Sequence, residues 1–158
     1  MRVGFGYDVH PLLAGRRLVL AGCHVPFEKG LAGYSDADAI AHAVIDALLG
    51  AAALGDCGTH FPAGAPEFAG ADSIGLLARA AKMVRDAGYA IVNVDATVVA
   101  EKPALAPHIP SMRANLSRAM QIEPERCSVK AKHSEGLGFA GEGKGMAAYA
   151  TACLEELR

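Results

Sequence analysis

The residues 6–12, GYDVHPL, place an acid and a histidine two positions apart near the start of the chain. In an extended strand, residues i and i+2 project from the same side, so Asp8 and His10 share one face. A second group lies downstream in SDADAIAHAVIDALLGAAAL, residues 35–54, where Asp38, His42 and Asp46 follow at i, i+4 and i+8. On a helix that spacing sets all three near one face. Two imidazoles and one carboxylate with a fourth position open form the ligand set of a catalytic zinc site. Asp8, His10 and His42 are therefore candidate ligands, with Asp38 a candidate acceptor for an imidazole N–H. A histidine packed in an apolar helix core is the competing reading of His42, and spacing alone does not decide between them.

A third concentration is KAKHSEGLGFAGEGKG, residues 130–145. Lysines, hydroxyls and backbone N–H groups in a loop suit phosphate oxygens. Glu135 suits a hard divalent cation bridging such oxygens. The alternative for this segment is a solvated polar loop whose glycines make turns.

The elements that must position these groups are short and alternate. RVGFGYDVH reads as a strand, and RRLVLAGCHVPF as one or two more with LLAGR and AGC as turns. Residues 35–54 read as a helix with Ser35 as cap, Asp38 completing a capping box, and Gly55 at its end. DSIGLLARAAKMVRDAG is a second amphipathic helix closed by Gly88, and YAIVNVDATVVAE a long β-rich run. IPSMRANLSRAMQ is a third helix and RCSVKAKH another strand. The tail GMAAYATACLEEL is open between helix and strand. Alternation of this kind predicts α/β or α+β: a single layered domain over residues 1–158, a mixed sheet with helices on one face.

With 158 residues, 52% of them apolar and a net charge of −2, the chain has an ordinary globular composition. Nothing in it marks a nucleic-acid surface or a membrane anchor. No apolar run approaches the roughly 20 residues that span a bilayer. Polar and acidic residues by position 8 argue against a signal peptide, so a cytoplasmic protein is the expectation. The four cysteines, Cys23, Cys57, Cys127 and Cys153, are scattered and without a C-x-x-C pair. Reduced, packed thiols are expected, with a metal role as the alternative.

Several segments then occur in a telling order: GYDVH, SDADAIAHAVIDALLGAAALGDCG, GADS, NVDAT, PHIPSMR and VKAKHSEGLGFAGEGKG. From residue 2 to about residue 150 this series resembles the 2-C-methyl-D-erythritol 2,4-cyclodiphosphate synthase family of the non-mevalonate isoprenoid pathway. The resemblance implies zinc, or another divalent transition metal, at Asp8, His10 and His42, and Mg²⁺ or Mn²⁺ at Glu135. It implies that the 2-phosphate of a cytidine-diphosphate methylerythritol attacks the β-phosphorus, releasing CMP and closing a cyclic diphosphate. Asp56, Cys57 and Gly58 match the segment that holds the methylerythritol hydroxyls, with Asp56 the bonding member and Cys57 a neutral replacement. Ala100, Pro103, Ala104, Leu105 and Ala106 fall in the loop that forms the cytosine pocket through its backbone. Lys132 and Ser134 would contact phosphates and base, and Ser35, Phe61 and Phe139 would also line the substrate site. The resemblance further implies a homotrimer with each active site between neighbours, the metal half on one chain and the cytidine half on the next. The tail then becomes a strand near the threefold axis.

The chain departs from the family pattern at identifiable positions. Tyr34 stands where a histidine is common, and His133 where a threonine is common, both in places of transition-state support. Either the imidazole has moved across the phosphates or both positions have drifted neutrally. Ala63 and Ala65 replace acidic residues, so side-chain contacts there are lost and only main-chain contacts can survive. Glu142 and Lys144 reverse the order of a usual arginine and glutamate beside the threefold-axis cavity, which predicts weak or absent binding of prenyl diphosphates. Two rival functions use the same residues: a metal-dependent phosphohydrolase giving a linear product, and a non-catalytic, metal-stapled binding trimer.

Overall fold

The computed structural model describes residues 1–157; Arg158, the last residue of the expected single domain, lies outside the described residues. Strand β1 (Arg2–Ala14) is the spine of the fold. It is followed by short strands β2 (Leu18–Leu20), β3 (Cys23–Val25) and β4 (Lys29–Leu31). Helices α1 (Ala39–Ala51), α2 (Cys57–His60) and α3 (Ser73–Asp86) precede strand β5 (Tyr89–Val99). Helix α4 (Ile109–Met120), strand β6 (Cys127–Lys132), the single-turn α5 (Gly138–Gly141) and strand β7 (Gly145–Glu156) complete the chain. The tail is thus a strand. Its alternation of buried Ala148, Ala150, Ala152 and Leu154 with outward Tyr149, Thr151 and Cys153 is the strand period of two.

Five strands form one mixed sheet in the order β4-β1-β7-β5-β6, while β2 and β3 make a separate hairpin. β7 lies antiparallel between β1 and β5, and β5 runs parallel to β6. The helices cover one face, as the sequence predicts. Helix α1 approaches that face closely because the strands beneath it carry almost no side chain. Gly4 and Gly6 on β1 and alanines on β7 lie under it, and α1 brings Ala43, Ala47 and Ala51 down to meet them. The buried large side chains, among them Ile40, Ile45, Leu48, Leu77, Met112, Leu116 and Met146, pack between sheet and helices.

The start of α1 differs from the sequence expectation. Asp38, not Ser35, is the N-cap, accepting from Ala41 N at 3.1 Å. The helix ends at Ala51, capped by Ala52, short of Gly55. The Asp38 carboxylate also accepts from Ala21 N at 2.8 Å and Gly22 N at 2.7 Å, so it holds the β2–β3 turn to the helix. Those bonds occupy it, and it does not serve as an imidazole acceptor. Fully buried, it has its pKa pushed up to about 6 by desolvation, against the three N–H groups that hold it down. Asp38→Ala strands these donors and is expected to lower unfolding stability by about 3 kcal/mol. A denaturant midpoint within error of the parent would show that the bonds are not made.

The other sheet face is bare. Val3, Phe5, Tyr7 and Val9 on β1 point outward beside Tyr149 of β7, and Phe5 is 63% exposed. The Tyr7 and Tyr149 rings lie 5.2 Å apart. Among the described residues no helix is long and apolar enough to cross a membrane.

Candidate metal centre

On β1 the even positions face α1, so Asp8 and His10 lie on the same side as Gly4 and Gly6. Helix α1 sets His42 directly above them. Asp8 Oδ2 lies 2.8 Å from His10 Nε2 and 3.0 Å from His42 Nδ1. One donor atom from each of the three residues falls within 4.8 Å of the other two. The far ring nitrogens are anchored. His10 Nδ1 donates to Ala32 O at 2.9 Å, while His42 Nε2 faces Ser73 Oγ at 2.9 Å and Ser35 Oγ at 3.2 Å. With the far nitrogens as donors, Nε2 of His10 and Nδ1 of His42 present lone pairs to a common point.

The donor set fits a divalent cation. His10 Nε2 is buried and, despite its nearness to Asp8 Oδ2, has no aligned hydrogen-bond partner. A buried lone pair aimed at a carboxylate and a second imidazole is costly unless a cation joins them. Burial alone would raise the Asp8 pKa, yet the two imidazoles beside it, His10 and His42, hold it below the usual carboxylate value. His42 is the converse: burial works to lower it, and Asp8 prevails and raises it. The site thus has a net preference for positive charge.

These residues open on a cavity of about 310 Å³ also lined by Tyr34, Ser35, Asp46, Asp56, Cys57, Gly58, Phe61 and Ala63. Three of the four sequence-predicted metal ligands, Asp8, His10 and His42, therefore share one cavity with the predicted methylerythritol segment Asp56–Gly58. Asp56 caps α2, with Oδ1 accepting from both Thr59 N (2.8 Å) and Thr59 Oγ1 (2.7 Å), and Oδ2 has no side-chain or backbone donor among the described residues. Tyr34 donates to Ala65 O at 3.1 Å and so ties two cavity loops together. Phe61 and Phe68 meet edge to face, and Arg79 stacks on both at 5.0 and 5.4 Å, closing one wall.

Cys57 is half-buried in the wall, and burial, followed by the charges of Asp46, Asp8 and Asp56, pushes its thiol up to about 12. At pH 8 the thiol form therefore prevails over the thiolate. Cys57 is expected to resist iodoacetamide in the folded chain and react once it is unfolded. Rapid labelling of the native chain would contradict this environment.

The remaining sequence-predicted residues lie elsewhere. Ala100 and Leu105, which are buried, follow β5 with Pro103, Ala104 and Ala106, and Ala100 N donates to Lys132 O at 3.0 Å. Glu101 accepts from Ser134 N at 3.0 Å, joining the 100–106 loop to the 132–139 loop. Lys132, His133, Glu135 and Phe139 are exposed there, and Glu135 has a left-handed φ of 53°. Lys144 and Glu142 form an exposed ion pair. None of these lines the metal-centre cavity within the same chain. Sequence reasoning missed Ser73, which faces His42 Nε2, and Asp36, which accepts from Ser73 Oγ, although both lie in the quoted SDAD and GADS segments.

The model of the YgbB family matches residues 1–155. A 2-C-methyl-D-erythritol 2,4-cyclodiphosphate synthase from Ralstonia pickettii is 56% identical over 154 residues, 98% of this chain and 92% of the relative. The bifunctional IspDF from Campylobacter jejuni superposes with a TM-score of 0.95 at 37% identity, matching 99% of this chain and 42% of that larger one. A 2C-methyl-D-erythritol-2,4-cyclodiphosphate synthase in its CDP-bound form gives 0.89 at 35% identity, covering 98% of this chain and all of the other. Sequence and backbone agree along almost the entire length, and the chain belongs to the YgbB family of 2-C-methyl-D-erythritol 2,4-cyclodiphosphate synthases.

Proposed function

We propose that the chain converts 4-diphosphocytidyl-2-C-methyl-D-erythritol 2-phosphate to 2-C-methyl-D-erythritol 2,4-cyclodiphosphate and CMP. The observation that carries this reading is the convergence of Asp8, His10 and His42 in a cavity that Asp56 also lines. The nucleophile is a phosphate oxygen already ionised at neutral pH, so no Ser, Cys or general base is required. The difficulty is to bring two anionic phosphates together and align them in line. Asp8, His10 and His42 would hold a divalent cation, zinc or another transition metal, which would supply positive charge and Lewis acidity to the phosphates.

The chain's own residues do the positioning. Asp56 Oδ2 accepts a methylerythritol hydroxyl, Ser35, Gly58 and Phe61 close around the same moiety, and the Phe61–Phe68–Arg79 stack excludes water. Lys132, Ser134 and the N–H groups around Glu135 offer donors and charge for phosphates, with Mg²⁺ or Mn²⁺ at Glu135, and residues 100–106 cradle the cytosine. Alignment of an intramolecular pair is worth roughly 7–11 kcal/mol of barrier. His133→Ala is expected to lose more activity than Tyr34→Phe, because the Tyr34 hydroxyl is already engaged by Ala65 O.

The nucleotide loops do not line the metal cavity of their own chain, which supports a site shared between subunits, as in the homotrimer that the family resemblance implies. The bare apolar sheet face with Phe5, Tyr7 and Tyr149 supports that assembly, since burying it removes a contiguous exposed patch. Sedimentation equilibrium tests this directly, and a monomer at micromolar concentration would remove the shared site. For the reaction, a phosphorus NMR time course with substrate, Mg²⁺ and a zinc chelator decides. Coupled signals of a cyclic diphosphate with CMP, abolished by the chelator, are expected. Linear phosphates would instead identify a phosphohydrolase, and bound substrate without turnover a binding protein.

A further inference from the structure

At the far ring nitrogen of His42 begins a second chain of polar groups. Ser73 is the first residue of α3 and is fully buried. Its Oγ lies 2.9 Å from His42 Nε2 and donates a hydrogen bond to Asp36 Oδ1. Asp36 is fixed in turn: its Oδ2 accepts from Ser73 N at 3.0 Å, and its own N–H donates to Ala71 O at 3.1 Å. Next to it, Gly70 N donates to Tyr34 O at 2.9 Å, so the 34–36 and 70–73 segments are laced together. With its proton committed to the carboxylate, the Ser73 hydroxyl can only accept from His42, which requires the imidazole proton to sit on Nε2. That tautomer leaves the Nδ1 lone pair directed at Asp8.

We infer that Asp36 and Ser73 are positioning residues for His42: a carboxylate–hydroxyl–imidazole chain fixes its tautomer and ring plane and so sets the affinity of the metal centre. The inference rests on the reading of Asp8, His10 and His42 as a cation site. Ser35 Oγ, at 3.2 Å from the same nitrogen, is the weaker partner because no carboxylate orients its hydroxyl and it also accepts from Ala37 N at 3.2 Å. The lacing gives the chain a further consequence. The loops that carry Tyr34, Ser35 and residues 61–71 bear on the cavity, so the same bonds that orient the ligand also hold the substrate wall in register with it.

The test compares the full-length parent with Ser73→Ala, Asp36→Asn and Ser35→Ala. Zinc affinity is measured by chelator competition, and the His42 tautomer by ¹⁵N NMR of the metal-free chain at a pH where the ring is neutral. The parent is expected to hold the Nε2–H form. Ser73→Ala should lose about 10- to 100-fold in zinc affinity and populate the Nδ1–H form, with Asp36→Asn shifting both in the same direction and Ser35→Ala less than either. An Nδ1–H parent overturns the inference, as does a Ser73→Ala chain that keeps the parent tautomer and zinc affinity within twofold. A folded parent that binds no zinc would instead sink the metal reading, while the tautomer measurement still decides whether Ser73 orients the ring.

Discussion

Asp8→Asn is expected to lower turnover by about a thousandfold and to strip the divalent cation from the protein. The substitution keeps size and shape, so the expected loss isolates charge. Asp8 Oδ2 is the atom that both imidazoles face, at 2.8 and 3.0 Å, and it contributes the only negative charge in the three-ligand set. An amide there leaves a dication on two neutral nitrogens in a half-buried pocket, which the desolvation cost disfavours. Metal content by mass spectrometry and turnover by phosphorus NMR are the paired readouts. Full metal occupancy and unchanged turnover in the variant would place the chemistry away from this cluster.

The same geometry fixes a pH dependence. In the cation-free chain Asp8 has its pKa held below the ordinary carboxylate value of 3.8, so its contribution to stability is present above that value and is lost as pH falls through the lowered one. His42 is raised above 6.5, so its contribution is complete below 6.5 and is lost as pH rises through the raised value. Between these limits the protonated imidazole and the carboxylate stabilise each other, and a cation must displace that proton. Zinc affinity is therefore expected to fall by about tenfold per pH unit below the His42 pKa.

How far the sequence reaches can be judged residue by residue. Asp8, His10 and His42 are legible because two simple periods, i+2 on a strand and an apolar helix face, place them, and the ligand chemistry is distinctive. Most strands and helices follow for the same reason. The tail stays open because GMAAYATACLEEL is rich in alanine, which serves a strand only when a neighbour needs small residues. Here α1 needs them, and that is a tertiary fact. The cap of α1 is misplaced because Ser35 and Asp38 both satisfy the local rule, and the choice falls to Asp38 only through its bonds to Ala21 and Gly22, seventeen and sixteen residues away. Ser73 and Asp36 are invisible for a related reason: each looks like an ordinary turn or cap residue until α3 is packed against α1. The nucleotide-loop residues are recognisable as a motif, yet their separation from the metal cavity is a property of three-dimensional placement.

What joins fold and site is the contact between β1 and α1, because Asp8 and His10 ride on one and His42 on the other. Gly6→Ala tests that contact most severely. A Cβ at position 6 would lie 1.9 Å from Ala43 O and 2.7 Å from Ala47 N, both backbone atoms of α1 that no side-chain rotation can move. The helix must lift from the sheet, and His42, next to Ala43, must leave Asp8 with it. The variant is expected to lose more than about 3 kcal/mol of stability and to bind zinc weakly even where it remains folded. Gly50 supplies the contrast from the same helix. Nothing lies within 4 Å of a Cβ there, so Gly50→Ala should be neutral or stabilise by about 0.5 kcal/mol, with zinc binding unchanged. Equal melting of the two variants would mean that α1 does not rest on bare glycine backbone, and the account of how β1 and α1 bring the three ligands together would fall.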